Sequence, residues 1–283
     1  MIPPSAVLPE VREADAPPDV AAIYAGLRGA VGVPIVNLIW RHFATLPGVL
    51  PWAWEAARGA IASATVAEGR ARQAEIVRAA PGLDLSAVGS ALLGLPAMER
   101  ARVAQVVRVY NRGNGTNLQV LSAVRRLIAA GVTVGWARPV PGGAPPAAPI
   151  AGSIPALPRM EDLPEAVRGE VSALAALHDP PDPVVPSLYR HLALWPDLLP
   201  PLRGALAPRF SDGRIASLRA SLLNAAEESA AALLPCLTPP GPFPAEHRDA
   251  VLRVLAAFPG KLIAEMAAVG LALDAELTRA GAA

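Results

Sequence analysis

Apolar residues in this chain recur at steps of three and four. Ile35, Leu38, Ile39 and Phe43 form one such set, and Val184, Val185, Leu188, Leu192 and Trp195 form another. That spacing gathers each set on one face of a helix. Prolines punctuate the pattern: Pro34 and Pro183 suit a first helical turn, where the missing N–H has no partner to lose, and Pro47 and Pro51 bound a tight connection. Further helices are predicted at about 17–30, 52–64, 67–80, 97–110 and 118–130, with counterparts later in the chain. No segment of useful length alternates with period two, so an all-α fold essentially without sheet is expected.

The two apolar sets belong to a repeat. Pro34-Ile-Val-Asn-Leu-Ile-Trp-Arg-His-Phe-Ala-Thr-Leu-Pro-Gly-Val-Leu-Pro51 aligns without a gap on Pro183-Val-Val-Pro-Ser-Leu-Tyr-Arg-His-Leu-Ala-Leu-Trp-Pro-Asp-Leu-Leu-Pro200, at an offset of 149, with eight of eighteen positions identical. The same offset pairs Leu8-Pro9 with Leu157-Pro158. Further on, Gly69-Arg70 matches Gly213-Arg214 at 144, and Arg108-Val109, Gly115 and Ala123-Val124 match Arg253-Val254, Gly260 and Ala268-Val269 at 145. Between the copies, residues 138–158 hold seven prolines, a composition that favours extended chain. The expected organisation is a first helical repeat over 1–137, a Pro-rich linker over 138–158 and a second repeat over 159–283. Two related units can pack through equivalent faces, so an intramolecular pseudo-dimer with a ligand cleft at the junction is expected.

Composition narrows the function classes. The 283 residues are 53% hydrophobic, enough for a sizeable core. Their 25 basic and 24 acidic side chains leave a net charge of +1 with no block of one sign, so neither nucleic acid nor an acidic membrane surface is an expected partner. Apolar stretches such as Val269–Leu273 are short and flanked by charge, and the first residues lack the pattern of a signal peptide. A cytoplasmic location is the default expectation. Cys236 is the one cysteine, which rules out an internal disulfide and a CxxC pair.

The chemistry-bearing residues are few. His42, His178, His191 and His247 show no metal-ligand spacing, and there is no GxSxG, P-loop or dinucleotide fingerprint, so no metal and no cofactor is expected. Tyr110-Asn-Arg-Gly-Asn-Gly-Thr-Asn117 is a polar run beside apolar helices. Its asparagines could position water or a carboxylate, or the run could be a helix-breaking loop. Arg41-His42 and Arg190-His191 are repeated, which favours a structural duty shared by both copies over catalysis. Trp40, Trp52, Trp54 and Trp195 sit around the proline turns as packing anchors.

Taken in order, Val33-Pro-Ile-Val36, Ala44-Thr-Leu-Pro-Gly-Val-Leu-Pro51, Tyr110-Asn-Arg-Gly-Asn114 and Leu194-Trp-Pro196 resemble the group I (DehI-type) 2-haloacid dehalogenases. The resemblance covers most of the chain and includes the duplication. It implies an all-helical pseudo-dimer that hydrolyses 2-halocarboxylic acids of either hand through a water activated by an aspartate, without a cofactor. Residue by residue, the family's water-holding asparagine matches Asn114 and the serine beside its aspartate matches Ser187, while the aspartate itself falls on Leu188. Pocket aromatics fall on Ile35 and Leu38, one tyrosine falls on Asn117 and a second on Phe258. Leucine accepts no proton, and loss of a general base typically costs about 10²–10⁴-fold.

Two functions follow. One is a dehalogenase-like hydrolase of a small carboxylic acid, with the base role taken by His191, Asp182 or another group near Asn114. The other is a non-catalytic protein holding a small, fairly apolar ligand, with Ile35, Leu38, Leu188 and Phe258 as wall and Asn37, Asn114, Asn117 and Ser187 as polar contacts. Homodimerisation stays open under either. An alkylhydroperoxidase-like redox role needs a CxxC pair, which this sequence lacks.

Overall fold

The computed structural model describes residues 8–80, 83–131, 148–150, 152–179 and 184–281. Twelve α-helices carry the described part of the chain: α1 Pro18–Val31, α2 Leu38–Phe43, α3 Val49–Ile61, α4 Ala64–Ala79, α5 Ser86–Leu93, α6 Ala97–Ala130, α7 Glu165–Ala176, α8 Ser187–Leu192, α9 Leu199–Ser211, α10 Arg214–Leu233, α11 Arg248–Ala257 and α12 Ala264–Arg279. No strand occurs among the described residues. Local chemistry sets several ends. Pro18 occupies the first turn of α1, the Ser63 hydroxyl accepts from Val66 N–H to open α4, and Gly32 and Gly131 close α1 and α6 in the left-handed region at φ 73° and 68°.

Helix order repeats along the chain. The six-residue α2 is followed by the thirteen-residue α3, and the six-residue α8 by the thirteen-residue α9. Next come α4 and α10, each starting three residues after its predecessor ends. This corrects one sequence pairing: Gly69 lies inside α4, whereas Gly213 is the N-cap of α10 at φ 83°, so the two glycines do different work. The linker residues 138–147 lie outside the described residues.

The 34-residue α6 runs unbroken through Tyr110–Asn117, so the loop reading of that run and the division into helices at 97–110 and 118–130 are both overturned. Its glycines are helical and serve close approach. A Cβ on Gly113 would lie 2.8 Å from Asn37 Oδ1, and one on Gly115 would lie 2.8 Å from Gln73 Oε1. Tertiary contact thus outweighs the weak helix propensity of Gly and Asn. The matching stretch of the second half is broken: α11 and α12 are joined by a π-helical turn, Phe258–Ile263, containing Pro259. A proline removes one helical N–H and clashes with the preceding turn, which accounts for the interruption.

Side chains from both halves merge into one contiguous core. At its centre α6 packs on α12, where the Asn111 amide lies against Gly270 and donates to its carbonyl at 3.0 Å. Trp52 and Trp195 are tied through their indole N–H: Trp52 donates to Gly241 O at 2.9 Å, and Trp195 to Glu99 Oε2 at 2.7 Å. Residues 245–279 are long and apolar enough to resemble a membrane span, but 61% of their most apolar stretch is buried inside the protein, as suits helices of a core.

Candidate functional site

A cavity of about 350 Å³ lies where the equivalent segments of the two halves meet. Residues 34–39 lead into α2 on one side, and residues 184–188 lead into α8 on the other. Tyr110 and Asn114 of α6, Phe258, Leu262 and Ile263 of the π turn, and Met266 of α12 complete the wall. Residues 153–157, within the stretch expected to be linker, form the remaining side. The chain thus supplies matching positions twice, polar where α6 continues and apolar where the π turn replaces it.

Of the site residues expected from the sequence, Ile35, Asn37, Leu38, Asn114, Ser187, Leu188, His191 and Phe258 all face this cavity. Leu188 is only 1% exposed. Asn117 does not line it. Its Oδ1 accepts from Trp40 Nε1 at 2.9 Å, and both residues are buried; the indole N–H needs an acceptor in the core, and Asn117 supplies it. Asn114, one turn earlier, makes no hydrogen bond through its side chain to any described residue, nor does Asn37.

His191 is unsuited to the base role expected of it. Its Nε2 lies 2.9 Å from Pro155 O. A carbonyl can only accept, so Nε2 carries the proton. Nδ1, 2.7 Å from the Tyr110 hydroxyl, is then left to accept from it. Burial holds the imidazole pKa below its ordinary value and raises that of the buried Tyr110 phenol, so both groups are neutral near pH 7. With both ring nitrogens engaged, His191 has no lone pair to offer a water. Asp182, the other expected substitute, lies outside the described residues.

Charged groups on the wall are paired. Glu13 receives Arg28 at 2.5 Å and the Val36 N–H at 2.9 Å, and Arg41 Nε lies 2.8 Å from Glu10 Oε2. Glu13 and the 153–157 wall were not foreseen, although the match of Leu157-Pro158 with Leu8-Pro9 was a usable signal. The repeated Arg-His pairs do what repetition suggested. His42 Nδ1 bonds Pro9 O at 2.8 Å, and Arg190 bonds Pro158 O through Nε at 3.1 Å and a terminal nitrogen at 2.6 Å. Both pairs therefore fasten extended segments to the helices.

A second buried polar cluster lies away from the cavity. His178 contacts Glu265 Oε2 through Nδ1 and the Tyr189 hydroxyl through Nε2, each at 2.9 Å, and Arg219 closes on Glu265 Oε1. Phe210 packs edge-on to the imidazole. Among the described residues no group of three or more His, Cys, Asp or Glu could hold a metal ion.

Neither a protein-family model nor a curated protein matches the sequence. Solved structures do resemble it. A D-2-haloacid dehalogenase mutant in complex with D-2-CPA superposes with a TM-score of 0.76 at 18% identity, covering 98% of this chain and 97% of that one. Another mutant gives 0.78 at 17% identity, covering 98% of each chain, and the enzyme with L-LA gives 0.76 at 18%, covering 99% and 98%. This chain has the all-helical fold of the D-2-haloacid dehalogenases.

Proposed function

We propose that this chain binds a small, fairly apolar molecule in its central cavity without activating water against it. The observation that carries the reading is the wall at position 188. A buried leucine faces the cavity beside Asn114 and His191, at the position where the resemblance puts the family's aspartate. Hydrolysis through water needs a base within hydrogen-bond reach. Glu13 is paired, and His191 is bonded at both nitrogens. A cavity of this volume, mostly apolar with a few polar groups, suits a small ligand.

The competing reading is hydrolysis of a 2-halocarboxylic acid. Its support is the cavity-facing amide of Asn114, the residue matched to the family's water-holding asparagine, together with the shared fold. Halide release from both enantiomers of 2-chloropropionate separates the two readings. The natural protein should release none above background, and Leu188→Asp should gain measurable release if the rest of the pocket still suits that chemistry. Robust release by the natural protein would overturn the binding reading.

A further inference from the structure

This inference rests on the reading of the cavity as a small-molecule site and concerns what that site accepts. Two charged side chains line it, one of each sign, and each has an opposite charge beside it: Arg28 on Glu13, and Glu10 on Arg41. Arg190, next in sequence to the neutral His191, turns its guanidinium onto Pro158 O. A carboxylate entering the cavity would have to share Arg41 with Glu10 while lying in the same space as Glu13. Moving an anion from water into such a site without a cation of its own is unfavourable.

The polar groups left over are of a different kind. Asn114, 7% exposed, and the half-buried Asn37 both face the cavity, and their amides hydrogen-bond to no described residue. Asn37 rests on Gly113, the residue preceding Asn114, so the two carboxamides border the same turn of α6. Each offers two N–H donors and one acceptor oxygen. Both amides open onto the cavity, so a ligand that brings both a donor and an acceptor can bond them there. Beyond this polar end, Leu188, Phe258, Leu262, Ile263 and Met266 form an apolar wall.

We infer that the cavity selects an uncharged carboxamide bearing a short apolar tail, held by Asn37 and Asn114, over the corresponding carboxylate. The amide head completes the hydrogen bonding of the two asparagines, and the tail lies against the π turn and α8.

The test is calorimetric titration of the full chain at pH 7.5 with hexanamide and hexanoate. Hexanamide should bind at least about tenfold more tightly, the scale expected when one ligand must lose charge solvation and the other need not. Asn114→Leu should weaken hexanamide by about tenfold, the loss of one buried hydrogen-bonding group. Asn37→Leu, at a less buried position, provides the same readout should Asn114→Leu fail to fold. Glu10→Gln frees Arg41 and should shift the preference toward hexanoate. Tighter binding of hexanoate by the natural protein overturns the ligand class while leaving the cavity as a binding site. Hexanamide binding that is indifferent to both asparagines overturns it as well. If neither compound binds, the proposed function falls along with this inference.

Discussion

Two buried histidines separate the parts of this molecule that hold charge from the part that holds space. His178 sits against Glu265, Arg219 and Tyr189, with Phe210 across its face. His191 sits against a phenol and a backbone carbonyl, at the edge of a cavity. The first has more of the residue types associated with catalysis, yet none of its members lines the central cavity and its polar groups satisfy one another. The second has few such groups and an opening beside them. Titratable residues are more telling where space adjoins them, and here the richer cluster is bonded within itself.

That contrast is open to test. The largest effect is expected from Glu265→Ala, which leaves Arg219 and His178 without their shared carboxylate; breaking a buried pair costs about 3–5 kcal/mol. Urea unfolding should show the loss directly. Tyr110→Phe removes the donor to His191 Nδ1 beside the cavity, where about 1–2 kcal/mol is expected for one buried acceptor left unbonded. If it costs as much as Glu265→Ala, the division between a structural cluster and a loosely held cavity edge collapses.

Gly113→Ala should cost about 1 kcal/mol, the scale of forcing a nearby side chain off its rotamer, because the new methyl would meet Asn37 Oδ1 at 2.8 Å. Its sharper consequence is displacement of the Asn37 amide, visible as weakened ligand binding at nearly unchanged thermal midpoint. The smallest effect concerns pH. Burial lowers the folded pKa of His191 below its ordinary 6.5, so the unfolded state takes up its proton first on acidification. Its contribution is fully present above that value and is lost as pH falls through the folded pKa. His191→Asn should flatten the decline in stability below pH 6.5 relative to the natural protein, and an unchanged slope would contradict the neutral, buried assignment.

Much of the architecture was legible in the sequence because it rests on periodic burial and on proline placement. The alignment of residues 34–51 on 183–200 anticipated the matching α2 and α8, and the three-and-four spacing anticipated an all-helical chain. Where the reading failed, a local signal met a distant partner. Gly113 and Gly115 looked like breaks in a helix, but Asn37, at the N-cap of α2, and Gln73 of α4 lie against them, and the polar run stays helical. The pairing of Gly69 with Gly213 failed because identity alone cannot tell a packing glycine from a left-handed cap.

For the site, the sequence determined that position 188 carries a leucine, and the family resemblance pointed to the residues around it. Eight of the nine residues named, most of them through the family resemblance, face the cavity, where segments equivalent in the repeat also converge. What each polar group does there was decided by tertiary structure. Only the fold brings Trp40 to Asn117, Tyr110 and Pro155 to His191, and Glu10 to Arg41. Whether an amide, an imidazole or a guanidinium is free to meet a ligand depends on partners from 31 to 81 residues away in the chain. A spacing rule that reads one helix at a time has no access to those partners.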